Sequence, residues 1–298
     1  MKSTPLISII MNCYNSEEYL KKAIDSVYSQ TYKNWEIIFW DNASTDRSAD
    51  IALSYDEKLK YFKDTTTTPL YEARGFAVNK AKGQYLAFLD CDDWWEQNKL
   101  EIQINLFEDE DIGFVYGNYW IENQKKNLKK KYSKNVLPSG RILDNLLKYY
   151  DVGLLTLMIR RSAYDQLGKG FDKRFSVIGD FDIVIRLAAQ WKSRCVNEPI
   201  AHYRCHEENF SKTHPEKNSD ELEKWYEDYK DHGIISKSKE LYNIPIIINY
   251  SRGMYYMKNS MKISGFKFLL KIPLLRIEKI KIIVSFFLPK FILKTTTW

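Results

Sequence analysis

Three carboxylates, Asp90, Asp92 and Asp93, fall within four residues directly after the apolar run QYLAFL. Like charges held this close are costly without a counter-cation. Carboxylate oxygens are hard ligands, suited to Mg2+ or Mn2+ bridging the phosphates of a bound substrate. The plainer alternative is an acidic turn before a helix beginning near Trp94, where acids complement the N-terminal dipole. Two further polar clusters weigh against it: Asn12, Tyr14 and Asn15 follow LISIIM, and Asp41-Asn42-Ala43-Ser44-Thr45-Asp46 follows WEIIFW. Asp182 precedes Arg186 by four residues in GDFDIVIRL, which suits either an ion pair along a helix or a place in the site.

The elements that position these residues follow from hydrophobic spacing. LISIIM reads as a strand. Ser16-Glu17-Glu18 then opens a helix, with Ser16 as its cap, in which Tyr19, Leu20, Ala23, Ile24, Val27 and Tyr28 recur at helical intervals. Strands follow over Trp35 to Trp40, Leu59 to Phe62 and Gln84 to Asp90, with helices over about Asp46 to Tyr55 and Tyr71 to Ala81. Continuous apolar strands separated by helices imply a parallel sheet covered on both faces, with ligands at the carboxyl ends of the strands. The site is therefore expected just after Met11, Trp40 and Asp90. Beyond Gly113 the pattern is mixed. The lysine-rich stretch Lys125 to Lys134 reads as a solvated hairpin or loop, Asp180 to Trp191 as a helix and Ser219 to Tyr229 as a polar helix with a Ser cap. Past Ile244, Pro245, Pro273 and Pro289 divide a series of helices.

With 298 residues, 44% hydrophobic, the chain can bury a real core, which excludes a disordered, collagenous or disulfide-stapled protein. Cys13, Cys91, Cys195 and Cys205 form no CxxC pair, so no zinc framework is indicated, a reducing cytosol is expected, and Cys13 and Cys91 read as packing residues. LISIIM is too short for a signal sequence and no run reaches about 18 apolar residues, so neither export nor a membrane-spanning helix is expected. The charge of +6 is uneven: Lys258 to Trp298 carries +8 and the rest −2. A neutral body with a basic tail argues against nucleic acid as a partner.

The segments SIIMNCYNSEEYL, DNASTD, ARGFAVNKAKG, FLDCDD, GDFDIVIRL and YRCHEENFS, in that order, resemble the family 2 inverting glycosyltransferases over about Leu6 to Ser211. The resemblance implies an α/β, Rossmann-like GT-A fold, a mixed sheet flanked by helices. It implies a catalytic domain over 1–215, with a nucleotide-binding half at 1–112 and an acceptor half at 113–215. A helical extension over 216–298 then ends in an amphipathic tail. It places Asn12, Tyr14, Asp41 and Asn42 at the nucleotide base, Arg74 at base or phosphate, and Asp90 at the ribose. Asp92 and Asp93 would hold Mn2+ or Mg2+, with His206 beside the metal and Arg204 a second phosphate contact. Asn42 stands where the family's common DDGSTD form has its second acid, and an amide both donates and accepts. Asp180 matches the Asp of the family's Glu-Asp motif and is the expected general base, although it suits a helix N-cap equally well by type. Gly179 replaces the Glu.

The function implied is transfer of a sugar from a nucleotide-diphosphate donor, UDP-linked first, to a hydroxyl of a glycan or lipid-linked acceptor in surface polysaccharide or lipopolysaccharide synthesis. Trp94 and Trp95 suit either sugar stacking or core packing. The tail, in which Phe, Leu and Ile alternate with Lys, fits an anionic membrane surface and so a peripheral place on the cytoplasmic face; packing on the protein itself is the alternative. A homo-oligomer is compatible with the sequence. Two rivals remain. A sugar nucleotidyltransferase or a dehydrogenase needs a Gly-rich loop that MNCYNSEEYL lacks. A catalytically silent membrane scaffold is opposed by the retained Asp90, Asp92, Asp93 and Asp180.

Overall fold

β-Branched and aromatic residues make up most of ISIIMNC and WEIIFWD, and every residue but one of these two runs is buried. A strand buried on both sides has no polar face, which is why the sequence shows continuous apolar runs in place of alternation. A computed structural model describes residues 4–206, 209, 214–231, 233–259, 261–273, 276, 277, 280 and 283.

The strands are β1 (Ile7–Cys13), β2 (Trp35–Asp41), β3 (Leu59–Lys63), β4 (Tyr85–Phe88), β5 (Trp94–Trp95), β6 (Ile112–Asn123), β7 (Leu128–Lys131), β8 (Met158–Arg160) and β9 (Lys192–Arg204). The helices are α1 (Glu17–Tyr28), α2 (Ser48–Leu53), α3 (Leu70–Lys80), α4 (Lys99–Ile104), α5 (Leu143–Lys148), α6 (Arg161–Gln166), α7 (Gly179–Gln190), α8 (Pro215–Tyr229), α9 (Asn243–Lys258) and α10 (Lys262–Leu269). One sheet runs in the order β3-β2-β1-β4-β8-β6-β9-β5, with β7 paired to β6.

The first four strands of that order are parallel, and Cys13 lies opposite Asp41. The polar ends of β1 and β2 are thus level. β8 runs antiparallel between β4 and β6, making the sheet mixed, and β6 runs parallel to β9. Ile7, Ile9, Met11 and Cys13 pack with Leu20, Ala23, Ile24 and Val27 of α1 in the main core. Gly83, before β4, is fixed by a close approach: a Cβ there would lie 2.5 Å from the Ser8 backbone nitrogen. Its amide donates to Ser8 Oγ.

Three local readings change. Trp94 and Trp95 form an edge strand against β9, and the following helix starts only at Lys99. α8 begins at Pro215, so Ser219 is interior and its hydroxyl donates to the Glu216 carbonyl. Ser16 precedes α1, but its hydroxyl bonds the Tyr14 carbonyl and caps no helical N–H. The lysine-rich stretch is a β6–β7 hairpin turning at Asn127, which has φ +46°.

The chain divides into one unit of residues 1–146 and 150–206 and another of 147–149 and 207–298. In the second, Ile246, Met254, Met257 and Ile272 form a small core, and a Cβ at Gly265 would lie 3.0 Å from the Gly253 carbonyl. Arg252 is paired with Asp220 and Glu223. Most of the expected amphipathic tail beyond residue 273 lies outside the described residues.

Candidate active site

Three loops meet where β1, β2 and β4 end, and their polar side chains are largely spent on one another. Asn15, at φ +46°, accepts from the Thr45 amide and gives its own amide to Ser44 Oγ. The Ser16 amide reaches Ser48 Oγ and the Glu17 amide reaches Asp46. Ala43 takes φ +63° at the turn between them. Asp41, wholly buried, accepts from the Ser44 amide at 2.7 Å and the Tyr61 hydroxyl at 2.6 Å. Asn42 donates to the Thr68 carbonyl at 2.8 Å and accepts from the Thr68 amide at 2.9 Å. The base-contacting roles expected for Asp41 and Asn42 therefore find these side chains engaged in holding the loops together.

Asn12 behaves differently. It is 8% exposed, and neither side-chain amide atom has a hydrogen-bond partner. A buried polar group left unmatched is costly, which makes this amide a candidate ligand contact. Tyr14, two residues on, is half exposed.

Arg74 is buried on α3 and ion-paired with Asp90, the first acid after β4. Its Nη1 is buried without a hydrogen-bond partner. Tyr71, one turn earlier on α3, stacks under the guanidinium at 4.9 Å and donates its hydroxyl to Asp180 Oδ1 at 3.2 Å. Asp180 in the first turn of α7 is thereby linked to Arg74 and Asp90 through one aromatic ring. Burial raises the Asp180 carboxyl above the ordinary aspartate range, against the lowering effect of its hydrogen bonds and of Arg74. Asp182 is absorbed by Arg186, at 2.7 Å.

Asp92 Oδ2 and His206 Nε2 lie 2.9 Å apart, both partly exposed. Asp93 is buried and accepts from the Arg204 backbone amide; burial first, then the neighbouring Asp92 and Asp90, push its carboxyl well up. Arg204 donates from Nε to the Asp92 carbonyl, and its plane lies 4.5 Å from the Tyr19 ring and 4.7 Å from Trp94. The expected phosphate contact is thus held as a clamp on the acidic loop. Trp94 is stacked on His202 and Trp95 donates to the Leu155 carbonyl, both in the core. Among the described residues, no three His, Cys, Asp or Glu side chains are grouped so as to hold a metal alone. The Asp92–His206 pair does fit a hard cation that takes its remaining ligands from phosphate and water.

The tyrosines had no motif to mark them. Tyr71 lies three residues before Arg74, a helical neighbour spacing that hints at contact with the arginine. Tyr150, whose ring lies 5.2 Å from Phe181 and whose hydroxyl is buried without a partner, carries no local signal.

The family described as Glycosyl transferase family 2 matches residues 8–168, more than half of the chain and most of the loops just described. This chain belongs to glycosyl transferase family 2. Among its relatives is WfgD of Escherichia coli, a UDP-Glc:alpha-D-GlcNAc-diphosphoundecaprenol beta-1,3-glucosyltransferase. It is 37% identical over 158 residues, 53% of this chain and 61% of WfgD. WfaP of the same organism, with the same described activity, is 32% identical over 204 residues, 67% of this chain and 78% of WfaP. TuaG of Bacillus subtilis is 32% identical over 55% of this chain and 65% of its own length. The chain thus spans less than two thirds of WfgD and of TuaG.

Among solved structures, Staphylococcus aureus TarS residues 1–349 superpose with a TM-score of 0.62 at 15% identity, covering 94% of this chain and 88% of that one. The mannosyltransferase PcManGT of Pyrobaculum calidifontis, in complex with GDP-Man and Mn2+, gives 0.62 at 13% identity over 91% of this chain and 75% of its own. The family 2 chain has the GT-A fold. No helix among its described residues is long and apolar enough to cross a membrane.

Proposed function

We propose that this chain transfers a glycosyl unit from a nucleoside-diphosphate sugar to a hydroxyl of a lipid-diphosphate-linked glycan, with inversion. The observation that carries this reading is the pair of buried donors without hydrogen-bond partners, the Asn12 amide and Arg74 Nη1, at the sheet edge where Asp180 is linked to Arg74. Asn12 and Tyr14 meet the base, within loops whose shape Asp41 and Asn42 fix. Arg74 and Asp90 meet ribose and diphosphate. Asp92 and His206 would hold a divalent cation, which supplies charge neutralisation for the departing diphosphate. Asp93, buried and clamped by the Arg204 amide, sets the conformation of that loop.

Asp180 takes the proton of the acceptor hydroxyl as it attacks opposite the leaving group, and burial makes it a stronger base than an ordinary aspartate. WfgD and WfaP support a UDP-glucose donor and a GlcNAc-diphospho-lipid acceptor, and TarS, solved with UDP-GlcNAc, supports a uridine nucleotide. PcManGT, solved with Mn2+, supports the metal.

A lipid acceptor suits a chain that lies on a membrane. Ile263, Phe266 and Leu270 of the second unit are exposed beside Lys267, and the +8 segment from Lys258 onward supports attraction to anionic headgroups on the cytoplasmic face.

The test is release of nucleoside diphosphate from UDP-glucose, UDP-GlcNAc and GDP-mannose, with and without Mn2+, in the presence of a GlcNAc-diphosphate lipid. Metal-dependent release that Asp180→Asn abolishes is expected. Inactivity with every donor, or full activity in Asp180→Asn, overturns the reading. Sedimentation with anionic vesicles tests the membrane role; equal partition with neutral vesicles would remove it.

A further inference from the structure

Asp180 is not held by its own helix alone. Tyr71, 4% exposed in the first turn of α3, gives it a hydroxyl hydrogen bond across more than a hundred residues of sequence. The ring that carries this hydroxyl lies directly over Gly179: a Cβ at that position would stand 2.4 Å from two of its carbons. No side chain at 179 can coexist with the ring as placed, so the glycine and the tyrosine form one packing unit. Phe171 closes one side of the ring at 5.5 Å and is itself set edge-on against Phe88 of β4. Arg74 lies against the ring at 4.9 Å while bonded to Asp90. Asp90, Arg74, Tyr71 and Asp180 are therefore consecutive links. Burial, and next to it the Asp180 charge, push the Tyr71 phenol well above its ordinary range, so at neutral pH it is a donor and never a phenolate.

We propose that Tyr71 is a positioning residue for the transfer reaction: seated in the space that Gly179 leaves, it fixes the rotation of the Asp180 carboxylate and couples it to the arginine that faces the donor. This rests on the reading of Asp180 as the general base. A free aspartate at a helix start samples several rotamers, and only those directed at the incoming hydroxyl are productive. Tyr71 needs no contact with substrate to favour them. An Arg74 that shifts on taking a phosphate moves the ring that holds the base, which ties readiness for attack to donor binding.

The test uses the full chain with UDP-glucose, Mn2+ and a GlcNAc-diphosphate lipid. Tyr71→Phe keeps the ring and removes only the hydroxyl. It lowers kcat about tenfold, the scale of one hydrogen bond to a charged group. The KM for UDP-glucose stays within about twofold and the thermal midpoint is little changed. Gly179→Ala displaces the ring, lowering both kcat and the thermal midpoint. In a Tyr71→Ala background the same Gly179→Ala change costs no further stability, because the space is vacant. A wild-type kcat in Tyr71→Phe, or equal losses in kcat and donor affinity, overturns the proposal, as does a Gly179→Ala penalty that persists in Tyr71→Ala. Should the wild type turn over and Asp180→Asn be dead while Tyr71→Phe is unimpaired, the role of Tyr71 alone falls. Should the wild type release no UDP, the transfer reading falls with it.

Discussion

Between Asn12 and Thr68 the edge of the sheet is a mesh of short polar side chains bonded to neighbouring backbone, whereas around Asp180 it is a packed set of rings, Tyr71, Phe171, Tyr150 and Phe181. The first region fixes loop shape through hydrogen bonds, which are directional and local. The second fixes one carboxylate through volume, with a single side-chain hydroxyl making the final adjustment. The polar loops can therefore lose one bond and keep most of their form. The side around Asp180 depends on shape: loss of the Tyr71 hydroxyl alone should show in rate, whereas a change of volume there should show in both rate and stability.

The sharpest way to break this contrast is at Asp180 itself. Asp180→Asn should cost roughly 10²–10⁴ in kcat with an unchanged thermal midpoint; a large loss of stability would mean that the carboxylate serves the fold. If Asp180 is the base proposed above, its raised carboxyl means that it is protonated, and activity lost, at a pH above the ordinary aspartate range. A profile of kcat/KM against pH should thus rise through a limb above the ordinary aspartate range, absent from the residual rate of Asp180→Asn.

On the donor side, Asn12→Ala removes an amide that has no protein partner. It should leave stability unchanged or slightly higher and raise the KM for the nucleotide sugar about tenfold, the scale of one buried hydrogen bond to ligand. Asp41→Ala should do the reverse. It strands the Ser44 amide and the Tyr61 hydroxyl, costing about 2 kcal/mol in urea denaturation, with donor affinity falling only as the loop loosens.

The smallest effect tests a carboxylate outside both regions. Burial disfavours ionised Asp172, but hydrogen bonds from Arg174 and Lys169 outweigh it and hold its carboxyl well below the usual range. With the folded pKa depressed, its contribution is present above the unfolded value and is lost as pH falls towards the folded one. Asp172→Asn should cost about 1 kcal/mol at pH 7, after solvent screening at the half-exposed Arg174, and the difference should shrink progressively below about pH 4 in paired urea titrations.

The parallel half of the sheet was legible because its strands are buried on both sides and bounded by turn residues, and the polar loops after β1, β2 and β4 meet at the edge where that topology places a candidate site. Residue types alone pointed to Asn12 and Asp90, whereas Arg74 and Asp180 were singled out only through the resemblance to the family's motifs. What spacing could not reveal is how a polar side chain is spent once the loops meet. Asn42 faces Thr68 and Arg204 clamps Asp92 through contacts that depend on distant segments arriving together. Trp94 and Trp95 form a strand only because β9 offers its edge. By spacing Tyr71 only opens a helix, and its partner at Gly179 lies more than a hundred residues away.

Ala43 stands at φ +63°, a conformation that costs a residue with a Cβ about 1 kcal/mol. The surrounding bonds to Asn15, Asp41 and Asn42 absorb that strain, so the turn behaves as a loaded spring latched on both sides. Glycine at 43 would unload it without altering any side chain of the proposed nucleotide site. On the proposed function, the range of donors accepted would then be widened by backbone compliance alone, leaving Asp180 and Tyr71 untouched.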